Sequence, residues 1–270
     1  MPWYWVPKSE ADNALVKTDT KKQKLWEWKH HWFLGYRNIA RSTDKRTFVV
    51  SIIPDTVGVG HSATLLYPEC GAMPGALLLS MMSSMIFDYS TRQKIGGSNA
   101  SITFVKQFPV LAPSQFPAWS KPLIVERVAE LCYFNYDLDG WMDELWHDDE
   151  MTDDIRRLLL RRLADCNGNS IDTDSTTPEF SSMRPYVYNE RRRTVAQAEL
   201  DAIYARLYGL TTDELRYILD PEDICGKGCI NQTFRVLKDN ETKKFVEYRT
   251  KRLVLEAWHR FKFDKMENAL

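Results

Sequence analysis

The spacing of apolar positions divides the chain in two. Up to about residue 120 the apolar residues come mostly in short β-branched and aromatic runs, which predicts strands. Trp32 to Ala40 is the first and Thr47 to Ile53 the second, closed by Pro54. Between them Arg41-Ser42-Thr43-Asp44-Lys45-Arg46 reads as a polar turn. A third extended piece, about Ala63 to Tyr67, follows the Gly58-Val59-Gly60 loop. Pro74 and Gly75 introduce an apolar helix from Ala76 to about Thr91, and Gly96-Gly97 break it. Ser101 to Val110 is expected to be extended again and to lead into a proline-rich connector, Pro109 to Pro122.

Beyond the connector the period becomes helical. Leu123 to Phe134, Trp141 to Trp146 and Thr152 to Leu163 are expected helices, and the polar stretch Asn167 to Arg184 an expected loop. Glu190 to Tyr208 is a long helix ended by Gly209. Thr211 with Glu214 three residues on marks a capping box for the next helix, which stops before Pro221. A last helix is expected from about Lys243 to Phe261, burying Val246, Leu253, Val254, Ala257, Trp258 and Phe261. The predicted class is α+β, a small mixed α/β unit followed by a mainly helical C-terminal unit. The expected divisions are a Trp/Lys-rich segment over 1–31, the α/β unit over 32–120, helices over 121–166, a linker over 167–188 and a helical unit over 189–270.

Composition adds constraints. The 270 residues, 44% apolar and 27% charged, are enough for one large or two smaller cores. The longest apolar run, Ala76 to Tyr89, is interrupted by Ser80, Ser83, Ser84 and Asp88, and is too short to span a bilayer. Cysteines at 70, 132, 166, 225 and 229 are odd in number without framework spacing, which with no signal peptide predicts a reducing cytoplasm. Trp3, Trp5, Trp26, Trp28 and Trp32 crowd the start, a density that predicts packing against something, such as the remainder of a larger protein.

The net charge of −1 conceals a gradient. Basic residues outnumber acidic ones 13 to 8 over residues 1–120, acids dominate 15 to 6 over 121–180, and the rest is near balance at 17 to 14. Balance overall is compatible with a locally basic face for phosphate, and also with an ordinary solvated surface.

Catalytic constellations are scarce. Transfer of a methyl group to an exocyclic amine needs a donor pocket and a polar-aromatic clamp for the base, an Asn or Asp, two prolines and an aromatic in sequence, and no such tetrapeptide occurs. Val57-Gly58-Val59-Gly60-His61 lacks the third glycine of a cofactor loop and reads as a turn between strands. Asp148, Asp149, Glu150, Asp153 and Asp154 offer acids for a metal-dependent nuclease, but consecutive acids at a helix start fit the helix dipole. Cys225 and Cys229 flank Gly226-Lys227-Gly228 without two further ligands nearby, and the adjacent His30 and His31 point apart. No Ser-His-Asp arrangement can be picked from spacing.

Recognition chemistry remains. The 41–46 turn concentrates forked donors and small hydroxyls, and Arg92, Gln93 and Lys94 end a helix whose loop continues Gly96-Gly97-Ser98-Asn99. Arg and Lys read guanine edges, Gln and Asn read adenine, and Ser or Thr grip phosphate. Each loop alone reads equally as a solvated turn.

Two stretches carry a family resemblance: FLGYRNIARSTDKRTFVVSIIP from Phe33 to Pro54, and Leu200 to Trp258 with LDAIYARLYGLTTDELRYILDPED, TFRVLK and EYRTKRLVLEAW. Between them IFDYSTRQKIGGSNASITFVKQFP, within Ala76 to Pro109, is similar in kind: a Leu- and Ser-rich helix, a basic Gly-Gly loop and a strand ending in proline. Together they resemble the target-recognition and closing helical region that follows the catalytic domain in type IIG-like restriction-modification DNA adenine methyltransferases of the TaqI-like class. About 60% of the chain is covered, and Asp137 to Tyr188 has no counterpart. The resemblance implies duplex DNA contacts for Arg41, Lys45 and Arg46 in the first loop and for Arg92, Lys94, Ser98 and Asn99 in the second, and the chemistry of the two loops adds Ser42 and Gln93 as expected contacts. It implies packing roles for Tyr204, Leu207, Tyr208, Leu215, Tyr217 and Ile218. The implied function is DNA sequence recognition for an adenine-N6 methyltransferase of a restriction-modification or defence system. Catalysis and S-adenosylmethionine would belong to a separate domain or subunit, no cofactor is expected on this chain, and no membrane partner. The contrasting expectation is a scaffold that docks on such a partner without touching DNA.

Overall fold

In a computed structural model, residues 6–41, 43–168, 178–229 and 233–267 are described. A short helix α1 (Lys8–Ala14) and a hairpin of β1 (Val16–Thr18) and β2 (Lys24–Glu27) precede a three-stranded antiparallel sheet. That sheet has β3 (Trp32–Arg37) in the centre, with β4 (Val50–Pro54) and β5 (Ala63–Leu66) at its edges. β3 reads WFLGYR and is buried from Trp32 to Tyr36, as a central strand covered on both faces should be.

The helices follow: α2 (Ala72–Ser83), α3 (Met85–Lys94), α4 (Ile102–Val105), α5 (Ser120–Cys132), α6 (Asp139–Trp146), α7 (Asp153–Asn167) and α8 (Glu190–Leu207). After α8 come α9 (Thr212–Leu219), α10 (Glu222–Cys225), α11 (Arg235–Phe245), α12 (Arg249–Phe261) and α13 (Phe263–Glu267). This is an α+β arrangement of small antiparallel sheets followed by a mainly helical region. One cluster of buried apolar side chains runs from Trp32 in β3 to Phe263, so sheet and helices share a core. Gly75 sets the close approach of α2 to the sheet: a Cβ there would lie 2.5 Å from the Trp32 ring.

Four expectations fail for local reasons. The single helix over 76–91 is two, because Ser84 is extended and caps α3 by accepting from the Phe87 N–H while its hydroxyl donates to the Met81 carbonyl. The second strand starts at Val50 rather than Thr47, since the N–H groups of Thr47 and Phe48 bind the Asp88 carboxylate instead of a strand. Residues 102–105 form the turn of helix α4 where extended chain was expected. The last helix is broken into α11 and α12 at Val246, which adopts left-handed φ of 64° and is 89% exposed, not buried. The expected capping box is present, with Thr211 and Glu214 bonded reciprocally.

The early tryptophans pack on their own chain. Trp28 stacks on Phe33, meets Trp32 and Tyr67 edge-on, and donates its indole N–H to the Trp32 carbonyl at 2.8 Å. Trp26 meets Tyr67 edge-on as well. Trp3 and Trp5 lie outside the described residues. Glu144 of α6 gathers the same corner by accepting from the Trp32 indole and the His31 N–H and bonding His30.

Candidate nucleic-acid interface

The two loops singled out by their chemistry meet. Ile39, just past β3, forms an isolated antiparallel bridge with Asn99. It is closed by the Ala40 N–H to the Ser98 carbonyl at 2.9 Å and the Ala100 N–H to the Asn38 carbonyl at 2.7 Å. Loop 96–99 is therefore an added rung beside the strand that enters loop 41–46. A third loop joins them: the Asn38 N–H donates to the Ser62 carbonyl at 2.9 Å, and the Asn38 side chain lies 3.4 Å from His61 Nε2. Gly58 and Gly60 in that third loop have nothing within 4 Å of where a Cβ would stand. Composition assigns this stretch only a turn role. The placement of Asn38 and His61 is a tertiary fact, because the pairing of β5 with β3 is what returns Ser62 to Asn38.

The first loop is tethered to α3 despite its polarity. Asp88, fully buried in α3, accepts from the Thr47 and Phe48 N–H groups at 3.0 and 2.8 Å. Arg92, one turn further on, donates to Asp88 at 3.2 Å and to the Asp44, Lys45 and Thr233 carbonyls at 2.7, 2.9 and 2.7 Å. Its guanidinium also lies over the Phe234 ring. Burial draws the Arg92 pKa down and Asp88 opposes that, which keeps the guanidinium charged. Outside, Arg37 pairs with Asp44 at 2.9 Å, and the Thr47 hydroxyl donates to the Arg41 carbonyl.

This architecture sorts the expected contact residues. Arg41, Lys45, Gln93, Lys94, Ser98 and Asn99 are exposed, and Arg41, Lys45 and Lys94 have no ion-pair partner among the described residues. Arg92 departs from the expectation: it is buried and its donors are occupied by loop carbonyls, so it positions the first loop and does not face a ligand. Arg46 also turns inward, donating to the Ser83 carbonyl with Asp88 3.7 Å away. Ser42 lies outside the described residues.

Other candidate chemistry is accounted for structurally. Asp148 accepts from the Met73 N–H at 2.9 Å at the start of α2, Glu150 pairs with Lys121, and Asp153 and Asp154 pair with Arg156 and Arg157 within α7. Among the described residues no group of three or more His, Cys, Asp or Glu is placed to hold a metal, and no helix is long and apolar enough to cross a membrane. No family model, curated protein or solved structure matches this chain.

Proposed function

We propose that this chain is the sequence-recognition part of a DNA adenine-N6 methyltransferase of a restriction-modification or defence system, with methyl transfer supplied by another domain or subunit. One observation carries the reading: the Ile39–Asn99 bridge sets the polar loops 41–46 and 96–99 side by side on one edge, with Arg41, Lys45, Ser98 and Asn99 exposed. Exposed Arg41, Lys45 and Lys94 offer phosphate contacts, and Gln93 and Asn99 offer the paired donor and acceptor that an adenine edge requires. Rigidity supports it too, since a loop fixed from behind by Arg92 loses little entropy when it meets a ligand. The family resemblance of residues 33–54, 76–109 and 200–258 points the same way.

The test is binding of the purified chain to a random duplex pool at two salt concentrations, with sequencing of what is retained. An enriched motif and salt-sensitive affinity are the expected result. Replacing Arg41, Lys45 and Lys94 with Ala should reduce the salt slope by about 2 to 3, roughly 0.9 for each phosphate no longer neutralised. No binding at low salt would overturn the reading in favour of a scaffold.

A further inference from the structure

A cleft of about 440 Å3 opens where the start of β4, the α2–α3 junction, α5, α8 and the α11–α12 corner meet. Its size is that of a small-molecule site, and more of its wall is apolar than polar. Phe48, Val50, Leu79, Val128 and Leu237 supply the apolar part. Three guanidinium groups, those of Arg46, Arg193 and Arg249, and two carboxylates, those of Asp201 and Glu241, supply the charge, leaving the lining one unit positive.

The two carboxylates are already engaged. Asp201 accepts from the Met85 N–H at 2.6 Å, and Glu241 accepts from the Thr250 N–H and hydroxyl, both at 2.7 Å. Two of the arginines are engaged as well. Arg46 is turned to the Ser83 carbonyl and Asp88, and Arg193 donates to the Leu131 carbonyl at 2.7 Å while lying over Phe134 and Tyr188.

Arg249 is the exception. Its guanidinium lies 3.9 Å over the Phe245 ring, it has no ion-pair partner among the described residues, and its Nε is buried with no hydrogen-bond acceptor. The neighbouring Tyr248 hydroxyl is likewise buried and unpaired. Buried donors without acceptors are rare and mark a missing partner. The chain also holds this corner in an unfavourable backbone: Val246, β-branched, sits at φ 64° three residues before Arg249.

We propose that this cleft binds an amphipathic organic anion, its carboxylate or phosphate-ester head at Arg249 and its apolar body against Phe48, Val50 and Leu79. The head pairs with the Arg249 guanidinium, which lines the cleft and has no ion-pair partner among the described residues, in the forked geometry that guanidinium favours. Apolar wall and net positive lining together select against both a bare inorganic anion and an uncharged hydrocarbon.

Calorimetric titration of the full chain with octanoate and octyl phosphate tests this, with 1-octanol and inorganic phosphate as controls, and the stronger of the two anions identifies the head. Saturable one-to-one binding of at least one amphiphile is expected, each control being weaker by about tenfold or more, and Arg249→Gln should reduce the affinity by a similar factor. If Arg249→Gln does not fold, the Nε–H resonance of Arg249 in the wild-type chain should move on titration with the binding amphiphile. Absence of binding by both amphiphiles, equal binding of 1-octanol, unchanged affinity in folded Arg249→Gln, or an unmoved Nε–H resonance would each overturn the proposal. Lys45→Ala with Lys94→Ala, which weakens the proposed DNA contacts, should leave this binding unchanged, so the two readings fail separately.

Discussion

The helical body and the loop edge use charge in opposite ways. In the body, Glu130 on α5 binds Arg162 on α7 and Arg192 on α8, and Arg127 on α5 binds Glu199 on α8, which also holds Arg260 on α12. These carboxylates are buried, so their partners neutralise charge that has left water, and they fix which helix lies beside which. On the edge, Arg41, Lys45 and Lys94 are exposed and unpaired, while the one well-buried arginine behind them, Arg92, is spent on loop carbonyls. Paired charge here builds the frame, and unpaired charge stays in water on the loop edge.

The largest expected effect lies in the frame. Glu130→Ala removes the buried carboxylate shared by Arg162 and Arg192, which keep Glu126 and Asp165 as partners, and should cost about 2 to 3 kcal/mol in urea unfolding. Any DNA binding by the protein that remains folded should be unchanged. A loss under about 1 kcal/mol would show that the ion pairs do not set the helix packing. Burial pushes Glu130 upward, but Arg192 and Arg162 outweigh it and hold its pKa below the usual carboxylate range. Its contribution is therefore present above the unfolded pKa and is lost on acidification through the folded one.

Asp201 gives the opposite pH dependence. Burial pushes its pKa up to about 6 from an ordinary 3.8, against the pull of Arg46 and the Met85 N–H. Between those values the folded state keeps a proton that the unfolded chain has released, so stability falls as pH rises through this window. The loss amounts to about 3 kcal/mol for a shift of this size. Asp201→Asn should flatten the stability profile between about pH 4 and 6 by a comparable amount. An unaltered profile would mean that Asp201 titrates normally.

Smaller effects refine the contrast. Arg92→Gln should loosen the 44–47 loop and weaken the proposed DNA binding about tenfold without abolishing its salt dependence, because Arg41, Lys45 and Lys94 stay in place. Equal affinity of this variant and the parent would separate loop rigidity from recognition. Val246→Gly should stabilise the protein by about 1 kcal/mol, relieving a left-handed β-branched residue that buries nothing, and thermal unfolding reads this directly. A lower melting temperature would show that the αL corner is not strained.

Much of the frame is legible in the sequence. The strands starting at Trp32 and Ala63, the helical stretches shared by expectation and structure at 123–132, 141–146, 153–163 and 190–207, and the Thr211–Glu214 cap follow from period, branching and capping chemistry that neighbours in sequence express alone. Errors arise where a side chain distant in sequence takes over a backbone group, as when Asp88 claims the N–H groups of Thr47 and Phe48 and shortens β4. They also arise where an unfavourable dihedral at Val246 breaks a continuous amphipathic pattern. The candidate site is half legible. Arg41, Lys45, Gln93, Lys94, Ser98 and Asn99 read as exposed loop chemistry and are exposed, whereas Arg92 reads as a ligand-facing group and is buried. Side-chain type does not disclose which way a guanidinium turns.

By itself the sequence determined the α+β class, the order of most elements and the polarity of the two loops, because these depend on local spacing and residue chemistry. Tertiary structure alone decided that loops 41–46 and 96–99 share an edge with Asn38 and His61, and that Arg92 faces inward while Arg41 faces out. It also decided that Arg249 lines a cleft without an ion-pair partner among the described residues. Those outcomes depend on contacts between residues tens to hundreds of positions apart, where burial and the pairing of backbone groups, not local propensity, set the direction of each side chain.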